Sequence, residues 1–391
     1  MMPLLAVAAL SARLLAESAR DSGYRPVALD LFGDADTRRA ALAWWPVGAP
    51  AARAIDGDAL LAALCRLRAQ GAAGWIAGSG FEGRGELLAA GGHVLPLIGN
   101  APAIVSQVRD PASFFGRLAA LGIPHPPSCL VPPSMPAGWL HKNFASSGGW
   151  AVRLAGRQTQ SEAGTYYQRV APGPPMSALF LADGRRARLL GVNLQIVRRL
   201  GGLPYVFHGC IGPLPVAVGL RRELEGMLDA LSADFGLRGL NGLDFLLNGN
   251  RLAVLELNPR PSASMALYRD ALSGGLLHAH VTASREARLP AASDEVVGPL
   301  RGFEVVFTRR RARVTDTGAL AMARCGWCHD LPAGGTRLAW GDPVCTVSAV
   351  GSTVAEVQAQ LVWRRRQIPH LLEKIDERSS KEPCLRETEC Q

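Results

Sequence analysis

Lys142 stands just ahead of a run of small residues, in Trp139-Leu140-His141-Lys142-Asn143-Phe144-Ala145-Ser146-Ser147-Gly148-Gly149-Trp150. The chain has three lysines among its 42 basic residues, and Lys142 is the one that falls before residue 374. Against so much arginine, a lone lysine marks a position where a compact ammonium is required and a broad guanidinium does not serve. The loop at Ser146, Ser147, Gly148 and Gly149 carries little side chain, so its backbone N–H groups can approach the oxygens of a nucleotide's phosphates while the ammonium balances their charge. Taken alone, the same residues also suit a surface turn with a solvated lysine.

A second group lies about a hundred residues on, in two apolar segments, Gly242 to Leu247 and Leu252 to Arg260, which flank Asn248-Gly249-Asn250. The Asn-Gly pair is a strong hairpin signal. Asp244, Glu256 and Asn258 are its oxygen donors. Glu256 and Asn258 are two apart and share a face of one strand. Asp244 joins them if the register has the right parity. A three-residue loop, 248–250, puts Asp244 opposite Val254 and diagonal to Glu256, roughly 7–8 Å away. A two-residue loop puts the carboxylates on opposite faces. Two carboxylates and an amide oxygen are hard ligands that suit Mg²⁺, with phosphate oxygens completing the octahedron. Arg260, two beyond Asn258, could stabilise an oxyanion or hold a substrate carboxylate. The alternative is a half-buried strand with polar residues facing water, which accounts poorly for Glu256 among Val254, Leu255 and Leu257.

These residues must be positioned by elements legible in the pattern. Residues 4–10, a helix from about Ser11 to Asp21, a strand at 26–31, a helix at 60–70 and a short strand at 74–78 predict βαβ units, hence a parallel sheet with helices on both faces. Ligands would lie beyond the strands' carboxyl ends, near Asp30 and Gly78-Ser79-Gly80-Phe81-Glu82, the latter a substrate contact or only a βα turn. A helix over 111–124 is closed by Gly122 and Pro124. Residues 139–200 and 300–350 read as strand-rich, 220–236 as an amphipathic helix, and about 353–367 as a helix.

In this order, the motifs resemble the ATP-grasp superfamily over some 200 residues. Leu121-Gly122-Ile123-Pro124-His125-Pro126 ends a helix, and Lys142 with its loop follows. Tyr166-Tyr167-Gln168-Arg169-Val170-Ala171-Pro172-Gly173 falls where the family's hinge holds adenine. The hairpin is similar to the metal-binding strand pair of D-alanine–D-alanine ligases and biotin carboxylases. The resemblance implies an α/β and α+β multidomain protein: a pre-ATP-grasp α/β domain (1–100), an ATP-grasp domain (101–292, small lobe about 135–175), a small β-rich C-terminal domain (293–370) and a charged tail (371–391). It also implies that Lys142 and Ser146 to Gly149 hold ATP phosphates, and that the backbone of Gln168, Arg169 and Val170 reads adenine. Asp244, Glu256 and Asn258 would bind Mg²⁺ or Mn²⁺, and Arg260 would face the reacting carboxyl. The family usually has an acid where Gln168 stands, and only Arg109 is available as the basic residue ahead of the 111–121 helix.

The implied activity is ATP-dependent ligation of a carboxylate to an amine through an acyl phosphate. The alternatives are a non-catalytic nucleotide-binding scaffold or a bicarbonate-activating enzyme like the biotin carboxylases. Ala9-Leu10-Ser11-Ala12-Arg13, Asp30 to Arg38 and Gly99-Asn100-Ala101-Pro102 resemble a ligase branch serving one-carbon carrier cofactors of the methanofuran and tetrahydromethanopterin type. Partners would be a small carboxylate and an amino-acid-like amine, with a homodimer as the common default.

The remaining composition fits that reading. A formal charge of +9 is carried by scattered arginines without an aromatic-interleaved basic block. That argues against nucleic acid and suits an anionic substrate. Eight dispersed cysteines suit a reducing cytoplasm. The apolar start lacks a basic region, and no apolar run reaches membrane-spanning length, so no membrane partner is expected. Cys325-Gly326-Trp327-Cys328-His329 matches a haem-attachment spacing and, with Cys345, has zinc-type donors, but packing residues are the expectation.

Overall fold

The computed structural model describes residues 2–156, 162–291 and 298–374, so most of the 371–391 segment lies outside the described residues. Strands β1 (Leu4–Ala8), β2 (Arg25–Asp30), β3 (Ala43–Pro46) and β4 (Trp75–Ala77) form a parallel sheet in the order β3-β2-β1-β4. Val7 and Leu5 of β1 pack toward one buried cluster, Ala6 and Ala8 toward another. Burial on both faces is why β1 is apolar throughout. The helix Gly57–Ala69 begins where the Asp56 carboxylate accepts the Ala59 N–H at 2.9 Å.

A small antiparallel sheet follows: β5 (Ser128–Cys129), β6 (Trp139–Asn143), β7 (Val152–Leu154) and β8 (Thr165–Arg169), ordered β5-β8-β6-β7. The chain then runs through β9 (Pro175–Asp183), β10 (Ala187–Leu200), β11 (Leu203–Leu214), β12 (Arg238–Asn248) and β13 (Arg251–Asn258). Next come β14 (Leu300–Phe307), β15 (Ala312–Val314), β16 (Cys328–His329), β17 (Arg337–Leu338), β18 (Pro343–Gly351) and β19 (Leu372–Lys374). The large sheet has eight strands, β13-β12-β9-β10-β11-β14-β18-β16. The C-terminal strands β14, β18 and β16 therefore continue the central sheet through the β11–β14 pairing, while β17-β15-β19 form a separate small sheet. The helix Val218–Phe235 packs Leu224, Leu228, Leu231 and Phe235 onto the large sheet and ends at Gly236, whose φ of 72° suits a helix-terminating glycine.

Some residues singled out in the sequence brace the fold. Asp30, expected near a ligand, is fully buried and turned inward. Its carboxylate accepts the Ala12, Phe32 and Gly33 N–H groups and the Trp44 indole at 2.6–3.1 Å, fixing two strand-end loops. Asn100 donates to Asn241 Oδ1 and Pro259 O and accepts the Arg238 N–H, so it supports the turn after β13 from behind. His280 accepts the Leu240 N–H at 2.8 Å and meets Ile98 O, and burial pulls its imidazole down to about 4. Cys328 and Cys345 sit in the C-terminal core, and among the described residues no group of three His, Cys, Asp or Glu side chains is placed to hold a metal. No described helix is long and apolar enough to cross a membrane.

The N-terminal sheet is tied to the C-terminal strands by Arg13, which is 8% exposed. Its Nε donates to Asp330 Oδ1 at 2.7 Å, Nη1 to Glu17 at 3.0 Å, and Asp36 lies 3.6 Å away. Asp36 in turn accepts the Asp330 and Leu331 N–H groups. Arg13→Met fills similar space but strands these carboxylates, and removal of one partner from a buried ion pair costs about 3 kcal/mol. A lowered urea midpoint is expected, with part of the loss recovered when Asp330→Asn is added.

Candidate functional site

One cavity of about 940 Å³ opens between the small sheet, the large sheet and the N-terminal loops. Lys142, the Ser146 to Gly149 loop, Gln168, Asp244, Glu256, Asn258 and Arg260 all line it, as do Arg109, Arg169 and Val170. Groups as far apart along the chain as Arg109 and Arg260 thus face a common space.

The metal-type donors converge by a route different from the expected three-residue loop. Asn248 pairs with Arg251, so the turn holds only Gly249 and Asn250. Without interruption that register would send Asp244 and Glu256 to opposite faces. The ladder instead shifts between Phe245↔Val254 and Asp244↔Glu256, leaving Leu255 as an extra residue. This β-bulge restores parity and sets the carboxylates directly opposite one another rather than diagonally. Asn258 Nδ2 donates to Asp244 Oδ2 at 3.2 Å and Glu256 Oε1 at 3.4 Å, so all three side chains meet. Gln195, on the neighbouring part of the sheet, donates to Asp244 Oδ1 at 2.9 Å.

Burial and the adjacent Glu256 charge push the Asp244 carboxyl up to about 8. Glu256 is affected by burial in the same sense, but Arg109 and Lys142 outweigh it and hold Glu256 below its ordinary value. The side chain of Glu256 is 32% exposed to the cavity, so an incoming ion can reach it. Two carboxylates and an amide fit a hard divalent cation that takes its other ligands from phosphate and water. A magnesium ion held here would replace the Asp244 proton and leave both carboxylates charged.

Lys142, the penultimate residue of β6, donates to Gln168 Oε1 at 2.6 Å. Burial lowers its ammonium below the ordinary lysine value, while Glu256 and Asp244 oppose that shift. Gln168 itself is almost fully buried and donates onward to Ser128 Oγ at 3.3 Å. The backbone N–H groups of Arg169 and Val170 donate to Pro127 O and Gly138 O, both at 2.8 Å. The small-residue loop is braced by two residues of β11. Gly148 O accepts the Phe207 N–H at 2.9 Å. At Gly149 (φ 78°) a Cβ would fall 1.8 Å from Tyr205 O, so only glycine allows that approach.

Arg109 is more central than its sequence position suggested. It is 8% exposed and donates to Phe144 O at 2.6 and 3.0 Å and to Ser146 O at 2.7 Å, while Nη1 lies 3.5 Å from Glu256 Oε2. It thus clamps the loop to the hairpin. Arg260 meets Glu82 of the loop after β4, with Nε donating to Oε1 at 2.7 Å. Burial alone would raise Glu82, but Arg260 and then Arg109 keep it below the ordinary carboxylate value. Glu82 sits in a segment read as either a contact or a turn; Gln195 carried no sequence signal, because a lone glutamine on a strand shows its partner only once the strands are paired.

With the β-sheet pair, the nucleotide-type loop and the carboxylate hairpin in place, the fold is the ATP-grasp fold. Residues 110–264 match the family model described as an ATP-grasp domain. The chain is 24% identical over 296 residues to the carbamoyl phosphate synthase large chain of Deinococcus radiodurans, covering 63% of this chain and 28% of that protein. It is 22% identical to the corresponding protein of Deinococcus deserti, covering 65% and 29%. The chain therefore spans less than a third of the length of these curated relatives. Among solved structures, N5-carboxyaminoimidazole ribonucleotide synthetase in its ADP complex superposes with a TM-score of 0.67 at 14% identity, covering 95% of this chain and 98% of that one. Biotin carboxylase from Campylobacter jejuni gives 0.70 at 11% identity, covering 95% and 92%.

The carboxyl geometry fixes a pH response. Below about 8 the Asp244 proton must leave before both carboxylates can bind a cation. Calorimetry of magnesium–nucleotide binding in buffers of differing ionisation enthalpy should show about one proton released near neutral pH. Release should fall toward zero above pH 9, and Asp244→Asn should remove it.

Proposed function

We propose that this protein is an ATP-dependent ligase that joins a carboxylate to an amine through an acyl phosphate. The observation that carries the reading is the meeting of Lys142, the small-residue loop, the Asp244–Glu256–Asn258 set and Arg260 around a single cavity. In this reading Lys142 and the Ser146 to Gly149 backbone hold the phosphates of ATP. Since the amides of Arg169 and Val170 are already engaged, the hinge donor for the adenine edge falls to the Ala171 N–H, in the same cavity wall.

Asp244, Glu256 and Asn258 would hold Mg²⁺, or Mn²⁺, which supplies charge neutralisation of the phosphates. A carboxylate oxygen of the acid attacks the γ-phosphorus, the bond to the β–γ bridging oxygen breaks, and ADP leaves. The amine nitrogen then attacks the acyl carbon, phosphate departs with the C–O bond electrons, and the amine loses a proton. Phosphoryl transfer of this kind needs positioning and charge neutralisation more than a protein nucleophile. Arg260 would bind the oxygens on which negative charge develops.

The motifs at Ala9 to Arg13, Asp30 to Arg38 and Gly99 to Pro102 favour, within this class, a ligase of methanofuran- or tetrahydromethanopterin-type cofactor assembly. The physical contribution of Asp30 and Asn100 is to brace loops beside the cavity.

A panel of small acids and amines is expected to yield one pair that releases ADP and phosphate only when both members are present. Glu256→Ala should lower that turnover by about 100-fold to 1,000-fold, the effect of removing one charge-stabilising group. Lys142→Ala should chiefly raise the KM for ATP. Release of phosphate driven by bicarbonate alone would instead favour a carboxylase-type reaction. Tight magnesium–ATP binding with no release across the panel would favour a nucleotide-binding scaffold.

A further inference from the structure

We propose that Glu82, on the loop after β4, is the positioning residue that aims Arg260 at the transferring phosphoryl group. The inference rests on the ligase reading above and adds to it a residue from the N-terminal domain.

The argument begins with donor geometry. A guanidinium has five N–H donors in a fixed fork. Arg260 uses Nε and Nη2 on a single oxygen, Glu82 Oε1, at 2.7 and 2.5 Å. Its Nη1 donates to Pro261 O at 3.2 Å. One N–H then remains on each terminal nitrogen, and this pair is a bidentate fork for an oxyanion. The Arg260 side chain is 16% exposed, and the residue lines the cavity that holds Glu256 and Asn258.

Glu82 is equally constrained. It is 7% exposed, and its second oxygen accepts the Gly80 N–H at 2.7 Å. The carboxylate is therefore fixed to its own loop and cannot follow Arg260 if the arginine turns away. Gly78 and Ser79 of the same loop line the cavity, and a Cβ at Gly83 would fall 2.4 Å from Ala145 Cβ, so the loop packs directly on the phosphate-loop segment. A shift of the N-terminal loop would move Arg260 with it. An aligned guanidinium contributes only if its orientation is set before reaction, which is the task assigned to Glu82.

The test uses the full chain and the probe MgADP with aluminium fluoride, which mimics a phosphoryl group in flight. Calorimetry measures MgADP with and without the fluoride, and a thermal melt accompanies each variant. In Glu82→Gln the shape is kept and the charge lost. MgADP affinity should stay within about 3-fold of wild type while the extra affinity gained from aluminium fluoride falls by about 10-fold or more, the size typical of a residue that orients a site group. Glu82→Asp should recover part of it. Arg260→Lys should lose the same increment, and the double variant should lose no more than either single one. An unchanged increment in Glu82→Gln overturns the proposal. So does an equal loss of MgADP affinity with and without fluoride, or a double variant whose losses add. If the wild type binds no MgADP, the ligase reading itself fails, a result distinct from any of these.

Discussion

Two carboxylates lie directly opposite each other on adjacent strands, half-buried in the cavity wall, and the rest of the site answers that constraint. Like charges at such a pair are destabilising, and both side chains cannot remain ionised without a cation. The protein keeps the pair by letting Asp244 hold its proton at neutral pH and by surrounding Glu256 with Arg109 and Lys142. Asn258 bridges the two with its amide, and Gln195 steadies the outer oxygen of Asp244. The arrangement is poised: each neutral or cationic neighbour that tolerates the pair in its free form would tolerate it better with a divalent ion between the oxygens.

The scaffold serves this pair at a distance. The strand β12 is paired on both edges, with β13 and β9, which leaves the carboxylates no freedom to slide. The bulge at Leu255 is the local irregularity that sets their alignment, and bulges recur where a sheet must re-aim a side chain. The small-residue loop is held from the opposite wall. Arg109 binds its carbonyls while Gly149 meets Tyr205 too closely for any side chain. The two walls share Arg109, so the loop and the hairpin are set by one guanidinium.

Much of this was legible in the chain. The alternating apolar segments of residues 4–77 gave a parallel sheet, and Asn248-Gly249 gave the hairpin, because local periodicity and turn chemistry act over a few residues. The face of Asp244 was not legible in the same way. Loop length and bulge each change the parity of the register by one, so two unseen irregularities cancelled: a shorter turn than expected and an extra residue at Leu255. Asp30 was misplaced as a ligand neighbour for a similar reason. Its position at a strand end is right, but three backbone amides and an indole claim its oxygens, and those partners become visible only once the loops are folded. Glu82 and Gln195 act on partners 178 and 49 residues away, beyond any periodic signal.

The charges of the cavity explain why the lone lysine stands beside a glutamine. Two arginines beside the hairpin already face carboxylates: Arg109 faces Glu256, and Arg260 faces Glu82. Lys142 donates instead to the neutral Gln168 carbonyl oxygen. An acid at position 168 would form a buried ion pair with the ammonium and oppose an incoming polyphosphate. The amide satisfies one of the three ammonium donors without cancelling its charge. Burial then raises the value of a phosphate partner, since a partly desolvated ammonium gains more from an anion than a hydrated one. Gln168 in place of an acid therefore leaves the Lys142 charge uncancelled by its neighbour on β8, and the compact, rotatable ammonium can turn from the amide to a phosphate oxygen without moving its strand.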